Sequence, residues 1–361
     1  MLFKSVVALA AAASAAFGLP TAPPPPAGGV DANATAPPPE YVAMSDFDFQ
    51  SLNLALNQEW IELDLFHYGL ARFSPEEFEA QGIDAEQQHL IEFMANQEVG
   101  HSTLLSNILQ GRGAKQCKYR YNFETVQEFV QFCAILTRFG ESGVYGFLSH
   151  LDSRPAATLL LQSITTEARQ QMIFRQFAGA FPMPVWFETG ISQAMAWTLL
   201  SPYLIECPAE NPRIEWPIFP TLNIQNNPNL TADGFQSAVS TNRTAFVTPN
   251  TTELYFEYDA PGKNVSYNNS YTTVVGANVT SEVPTHCVYI NQLNATSVPY
   301  NATGNNTGSC IVPGGVVFGD DGIVNGTMFV GLFQNPPFVT PYNLSKLNDF
   351  IVAGPAVFVA G

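Results

Sequence analysis

Four segments of this 361-residue chain carry a glutamate in the middle of an otherwise apolar stripe. At alternating three- and four-residue spacing, the first stripe runs Leu52, Leu56, Glu59, Leu63, Phe66, Leu70 and Phe73. The second runs Ile91, Met94, Glu98, His101, Leu105 and Ile108; the third Val130, Ala134, Thr137, Glu141, Val144, Leu148 and Leu151. The fourth runs Ala156, Leu160, Ser163, Glu167, Gln170, Phe174 and Phe177. This spacing marks the buried face of a bundle helix. An ionised carboxylate buried without partners costs several kcal/mol, so four at one level require counter-charge. Two divalent cations carry four positive charges, and carboxylates around paired iron or manganese ions at mid-bundle meet that need. Glu59 and Glu141 then act as single carboxylates, Glu98 with His101 makes a Glu-x-x-His pair, and Glu167 with Gln170 takes the place of a second pair. A carboxamide oxygen is a poorer ligand for iron or manganese than imidazole, so one subsite is weakened and the set could take one ion or two. The metal-free alternative is a polar core of partly protonated carboxylates, hydrogen-bonded to Gln170, His101, Thr137 and water. Glu62 falls off the stripe and is expected to face outward. His67, His89 and His150 are expected at the surface or at helix ends.

The elements that must position these residues are helices with short connections, except one. Ser74 before Pro75, Glu76 and Glu77 reads as a capped extra turn, and Asp84 with Gln87 as a capping-box start to the second long helix. Asp152 to Pro155 leaves room only for a tight turn, which makes the third and fourth helices antiparallel neighbours. Gly111 to Asn122 is long enough to return along most of a helix, which predicts the crossover of a ferritin-like bundle. A fifth helix is expected to start at Pro184 in PVWFETGISQAMAWTLL, as a core or capping element too short to span a membrane.

Beyond CPAENP the composition turns to Asn, Thr, Pro, Gly and Val. Runs such as TELYFEY, YTTVV, CVYI and TMFVGLF, separated by turn residues, predict a β-sandwich-like region. The apolar tail FIVAGPAVFVAG suits a terminal strand better than a lipid-anchor signal. The expected fold is thus α+β and multidomain: a four-helix bundle with a fifth helix over 44–205, then a glycosylated β-rich domain over 213–361. Residues 1–18 read as a signal peptide, with Lys4, an apolar run and small residues before Gly18, and 19–43 as a proline-rich linker. Asn-x-Ser/Thr sequons begin at Asn33, Asn229, Asn242, Asn250, Asn264, Asn268, Asn278, Asn294, Asn301, Asn305, Asn325 and Asn343. That density points to a secretory route. Of five cysteines, Cys117 and Cys207 lie in loop-like sequence and could pair, Cys287 and Cys310 bracket a Gly/Asn-rich loop and could pair, and Cys133 is left as a buried apolar residue. A net charge of −17, from 14 Lys and Arg against 31 Asp and Glu, disfavours nucleic acid and anionic membranes as partners.

The segments LNLALNQEWIELDLF, NQEVGHSTLL, GESGVYGFLSHL and TTEARQQMIFRQF resemble the ferritin-like family, specifically the secreted fungal stress-response and late sexual development proteins. The plant desiccation-related ferritin-like proteins are a more distant likeness. FPMPVWF, CPAENP and PGKNVSYNNSYTT extend the resemblance to the fungal group. It implies iron or manganese as the cofactor and a stress or developmental role outside the cell, with cell-wall or extracellular components as partners. Two departures weaken an inherited reaction: Gln170 stands where the family's second histidine would be, and Phe66 where the wider superfamily often has a tyrosine. The sequence therefore supports a non-catalytic extracellular protein with a degenerate di-metal site. The alternative is a di-iron or di-manganese oxidase or peroxide-detoxifying enzyme.

Overall fold

The computed structural model describes residues 40–227, 248–249, 252–313, 323–324 and 326–360. The expected signal peptide, nearly all of the proline-rich linker, and the sequons at Asn33, Asn229, Asn242, Asn250 and Asn325 lie outside the described residues.

The helices are α1 (Asp46–Arg72), a short α2 (Pro75–Ala80), α3 (Ala85–Ile108), α4 (Val126–Leu148), α5 (Arg154–Phe177) and α6 (Gln193–Leu200). Each begins where a side chain satisfies a free backbone N–H. Ser45, Ser153 and Ser192 cap α1, α5 and α6, and capping boxes start α2 (Ser74 with Glu77), α3 (Asp84 with Gln87) and α4 (Thr125 with Glu128). Helix α1 packs on α3 and α4, and α5 on α4, so the long connection after α3 is the crossover expected of a ferritin-like bundle. The turn between α4 and α5 is pinned from α1. Asp48 accepts from Asp152 N at 2.8 Å, and from Ser153 N and Met44 N at 3.0 Å.

The fifth helix starts later than its proline suggested. Over 181–192 the chain is irregular, and three backbone donors have tertiary partners: Trp186 N and Phe187 N donate to Gln292 Oε1, and Ile191 N to Ser142 O. Helix α6 follows, nearly all buried, with Met195 and Trp197 fully so.

The strands, in chain order, are β1 (Lys118–Tyr119), β2 (Leu204–Glu206), β3 (Leu222–Ile224), β4 (Thr248–Pro249), β5 (Glu253–Tyr258), β6 (Asn264–Val265), β7 (Tyr271–Thr272), β8 (His286–Asn291), β9 (Asn294–Pro299), β10 (Asn301–Gly304), β11 (Thr307–Ile311), β12 (Ile323–Val324), β13 (Gly326–Phe333) and β14 (Ile351–Ala360). Two antiparallel four-stranded sheets dominate, in the orders β10-β11-β5-β3 and β14-β13-β8-β9. Side chains alternate faces along a strand, and the second sheet uses both. Cys287, Tyr289, Met328, Val330, Leu332 and Phe358 pack with Leu254, Phe256 and Tyr258 of the first sheet. Val288, Ile290, Phe329 and Phe333 instead join Met195, Trp197 and the bundle in another core. The helical and strand-rich halves are therefore continuous through α6. Disulfides Cys287–Cys310 and Cys117–Cys207 form, the first linking the two sheets and the second tying the crossover to the chain beyond α6, while Cys133 is free and buried. The apolar tail is the edge strand β14.

Candidate metal centre

Three of the long helices bring four side chains to one point. Glu59 from α1, Glu98 and His101 from α3 and Glu167 from α5 each offer a ligand atom, all within 4.8 Å of one another. None of the four is more than 9% exposed. The i,i+3 spacing of Glu98 and His101 stacks them on one face of α3. His101 Nδ1 lies 3.0 Å from Glu98 Oε2, 3.2 Å from Glu59 Oε2 and 3.8 Å from Glu167 Oε1. Its other nitrogen, Nε2, is 2.9 Å from Thr166 Oγ1.

Burial holds Glu59, Glu62 and Glu167 well above the usual carboxylate range, and the neighbouring glutamates push each of them further. Burial opposes charge on His101, but the hydrogen bond and charge of Glu98, with Glu167 and Glu62, outweigh it and push the imidazole up to about 9. Ionised together, the carboxylates would carry more negative charge than His101 balances, and without a cation they are driven toward protonation.

The remaining expected ligands stand differently. Gln170 meets Glu98 as a donor, Nε2 to Oε1 at 2.5 Å, and also reaches Gln97 Oε1 at 3.2 Å; its own Oε1 has no hydrogen-bond partner. Glu141 is buried but is not brought into the group of four. Tyr145 Oη donates to its Oε1 at 2.8 Å, and the Arg138 guanidinium lies 3.3 Å from its Oε2. Arg138 also pairs with Glu188 in the irregular segment before α6. Burial pushes Glu141 up to about 7 despite the opposing pull of Arg138. Thr137 is buried on α4 with its hydroxyl unpartnered.

Glu62 corrects the outward placement expected for it. It is fully buried, because α1 is covered by α4 and α6 as well as α3. The signal available in the sequence was its i,i+3 spacing from Glu59, which a one-face stripe discards. His67 and His89 are exposed, and His150 sits past the end of α4 with Nε2 2.7 Å from Tyr342 O.

The donor set fits a divalent iron or manganese ion: one imidazole nitrogen with carboxylate oxygens, and buried oxygens of Glu62 and Gln170 that no protein donor satisfies. Glu59, Glu98, His101 and Glu167 would hold it.

Residues 47–180 match the family described as the Ferritin-like domain. The chain is also similar to protein rds1 of Schizosaccharomyces pombe (strain 972 / ATCC 24843), 48% identical over 351 residues, which cover 93% of this chain and 86% of that protein. Glutamates meeting inside a bundle with a long crossover, together with a likeness that runs through the strand-rich half, lead to one conclusion: the chain belongs to the fungal ferritin-like family of protein rds1.

Proposed function

We propose that this is an exported, glycosylated protein of stress or development that keeps a divalent iron or manganese ion at the centre of its bundle. It serves as an extracellular or cell-wall component rather than as an enzyme. The carrying observation is the convergence of Glu59, Glu98, His101 and Glu167 in a buried group. Such a group is costly without a cation, and its closure favours retention over turnover. Two disulfides support export, since such bonds persist in oxidising compartments. The sequon asparagines Asn264, Asn268, Asn278, Asn294, Asn301 and Asn305 are exposed and Asn343 half-buried, so these positions are open to glycan attachment. Among the described residues no helix is long and apolar enough to cross a membrane. The glycosylated strand-rich half is the surface offered to cell-wall components.

A bound iron or manganese ion supplies Lewis acidity and one-electron redox capacity. The protein's part is to fix His101 and the carboxylates and to keep bulk water out. The oxidase or peroxide-detoxifying reading draws on the same mixed imidazole and carboxylate set, which suits redox-active metals. A centre this closed admits only substrates as small as dioxygen or peroxide.

The test is secretion of the full chain from a eukaryotic host, purification without chelator, metal analysis per chain and treatment with an N-glycosidase. Stoichiometric iron or manganese, lost in Glu98→Ala, and a mobility shift on deglycosylation are expected. A folded protein free of transition metal that also takes up none on exposure to iron or manganese would overturn the metal reading, and an unshifted band the glycoprotein one.

A further inference from the structure

We propose that Glu62 on α1, and not Glu141 on α4, is the carboxylate that completes the centre on its α4 side, with Gln58 as its positioning residue. This rests on the metal reading above and concerns which side chains make the site.

Glu62 has one oxygen committed and one open. Its Oε1 accepts from Gln58 Nε2 at 2.7 Å, while Oε2 is buried with no hydrogen-bond partner. A buried carboxylate oxygen without a donor is a costly feature that a cation satisfies. Glu62 is not one of the four whose ligand atoms meet within 4.8 Å, but its charge acts on Glu59, His101 and Glu167 and it feels that of Glu98 and, last among the causes, that of Glu141, so it borders the group.

Gln58 is held in turn. The same Nε2 donates to Leu136 O of α4 at 3.0 Å, so both amide hydrogens are spent, one on each helix. Gly140 makes this approach possible: a Cβ there would fall 2.4 Å from Gln58 Cγ. The amide thus fixes Glu62 from the far side and leaves Oε2 as its free acceptor.

Glu141 Oε2, like Glu62 Oε2, is buried without a hydrogen bond, but it already faces a cation. Arg138, three residues earlier on the same helix and buried, lies 3.3 Å from it and also pairs with Glu188. A guanidinium is permanently charged, so a metal ion placed on Glu141 would be repelled at short range in a medium of low dielectric. Tyr145 occupies the other oxygen. Glu141 therefore belongs to an ion-pair network that secures the segment before α6.

The full chain is stripped with chelator, dialysed and titrated with Mn²⁺ alone by calorimetry, with melting followed in parallel. Glu62→Gln is expected to weaken Mn²⁺ binding by about tenfold or more and to shrink the cation-induced rise in melting temperature. Its melting temperature in chelator should be unchanged or higher, since an amide removes a buried charge, and that separates lost ligation from lost folding. Gln58→Leu is expected to weaken Mn²⁺ binding in the same direction, whereas Gln58→Glu, which cannot donate to Glu62 when ionised, gives no rescue. Glu141→Gln should keep the wild-type affinity while melting lower in chelator, because Arg138 loses a counter-charge. Wild-type affinity in Glu62→Gln, or a tenfold loss in Glu141→Gln, overturns the assignment while leaving the metal reading in place. No Mn²⁺ or Fe²⁺ binding by the wild type overturns the metal reading itself, and the assignment with it.

Discussion

The hydroxyl of Thr166 donates to Ser163 O at 2.7 Å, which leaves its lone pairs for the Nε2–H of His101. The imidazole is thereby held with Nδ1 toward Glu59 and Glu98. Protonated, Nδ1 would donate to those carboxylates; toward a bound cation the same nitrogen would offer its lone pair. Thr166 would be a positioning residue in this sense, and its neighbour in sequence, Glu167, is one of the four residues that would hold the ion. Thr166→Val keeps the shape and removes the acceptor, so cation affinity is expected to fall by about tenfold while Thr166→Ser retains it. Equal Mn²⁺ affinity in the valine and serine variants would count against the role. Glu62 and Arg138 show why the residue scale was only partly legible. A stripe drawn along one helix face keeps Glu59, Glu98, His101 and Glu167, whose partners lie on that face. Glu62 needs knowledge that α1 is covered on other sides too. Arg138 was readable in principle, as an i,i+3 partner of Glu141, but its second contact with Glu188 lies fifty residues away and leaves no local trace.

At the scale of elements, the helices of the bundle were legible because spacing, caps and turn lengths agree with one another. The boxes at Ser74 and Asp84 were readable, and Thr125 with Glu128 follows the same pattern. Helix α6 was misplaced at its start because Pro184 is a good first residue only where the following donors stay in the helix; here Gln292 and Ser142 take them. The side-chain contacts that lock one helix against another were not legible, although the order of neighbours was. Asp48, buried near the start of α1, receives the backbone of the α4–α5 turn in two hydrogen bonds. Asp48→Ala leaves the buried Ser153 donor unpaired and turns the exposed Asp152 donor to water, and is expected to cost about 2 kcal/mol in urea unfolding. A loss below about 0.5 kcal/mol would show that the turn holds without it.

At the scale of the molecule, the alternation along β8 and β13 sends one set of side chains to the other sheet and the next to α6 and the bundle. The strands were expected from the sequence; their use of both faces was not, because it depends on a helix that precedes them by nearly a hundred residues. A shared core of this kind makes the halves melt together. The pH dependence of that melting follows from the centre. Glu59, Glu62 and Glu167 are raised above 4.5, so their protonated forms stabilise the fold at low pH and that contribution is lost as pH climbs through the raised values. His101, raised from 6.5 to about 9, contributes below 6.5 and loses that contribution as pH rises through 9. The signs agree. In chelator the protein is expected to melt in one transition whose midpoint falls between about pH 5 and pH 9, and Mn²⁺ should flatten the fall. Two separate transitions, or a midpoint rising over that range, would contradict the shared core or the charge assignment respectively.

The bond between Cys117 and Cys207 encloses α4, α5 and α6 in a covalent ring, with α1 and α3 on the chain leading into it. Glu167 sits inside the ring; Glu59, Glu98 and His101 sit before it. A protease that cuts the backbone once anywhere between the two cysteines yields two fragments that remain joined. Glu59, Glu98, His101 and Glu167 then stay on covalently joined pieces. If the protein is exported as proposed, one cut in the part that carries half of the bundle leaves the chain in one covalent piece, whereas a cut between His101 and Cys117 leaves Glu59, Glu98 and His101 joined to Glu167 by packing alone.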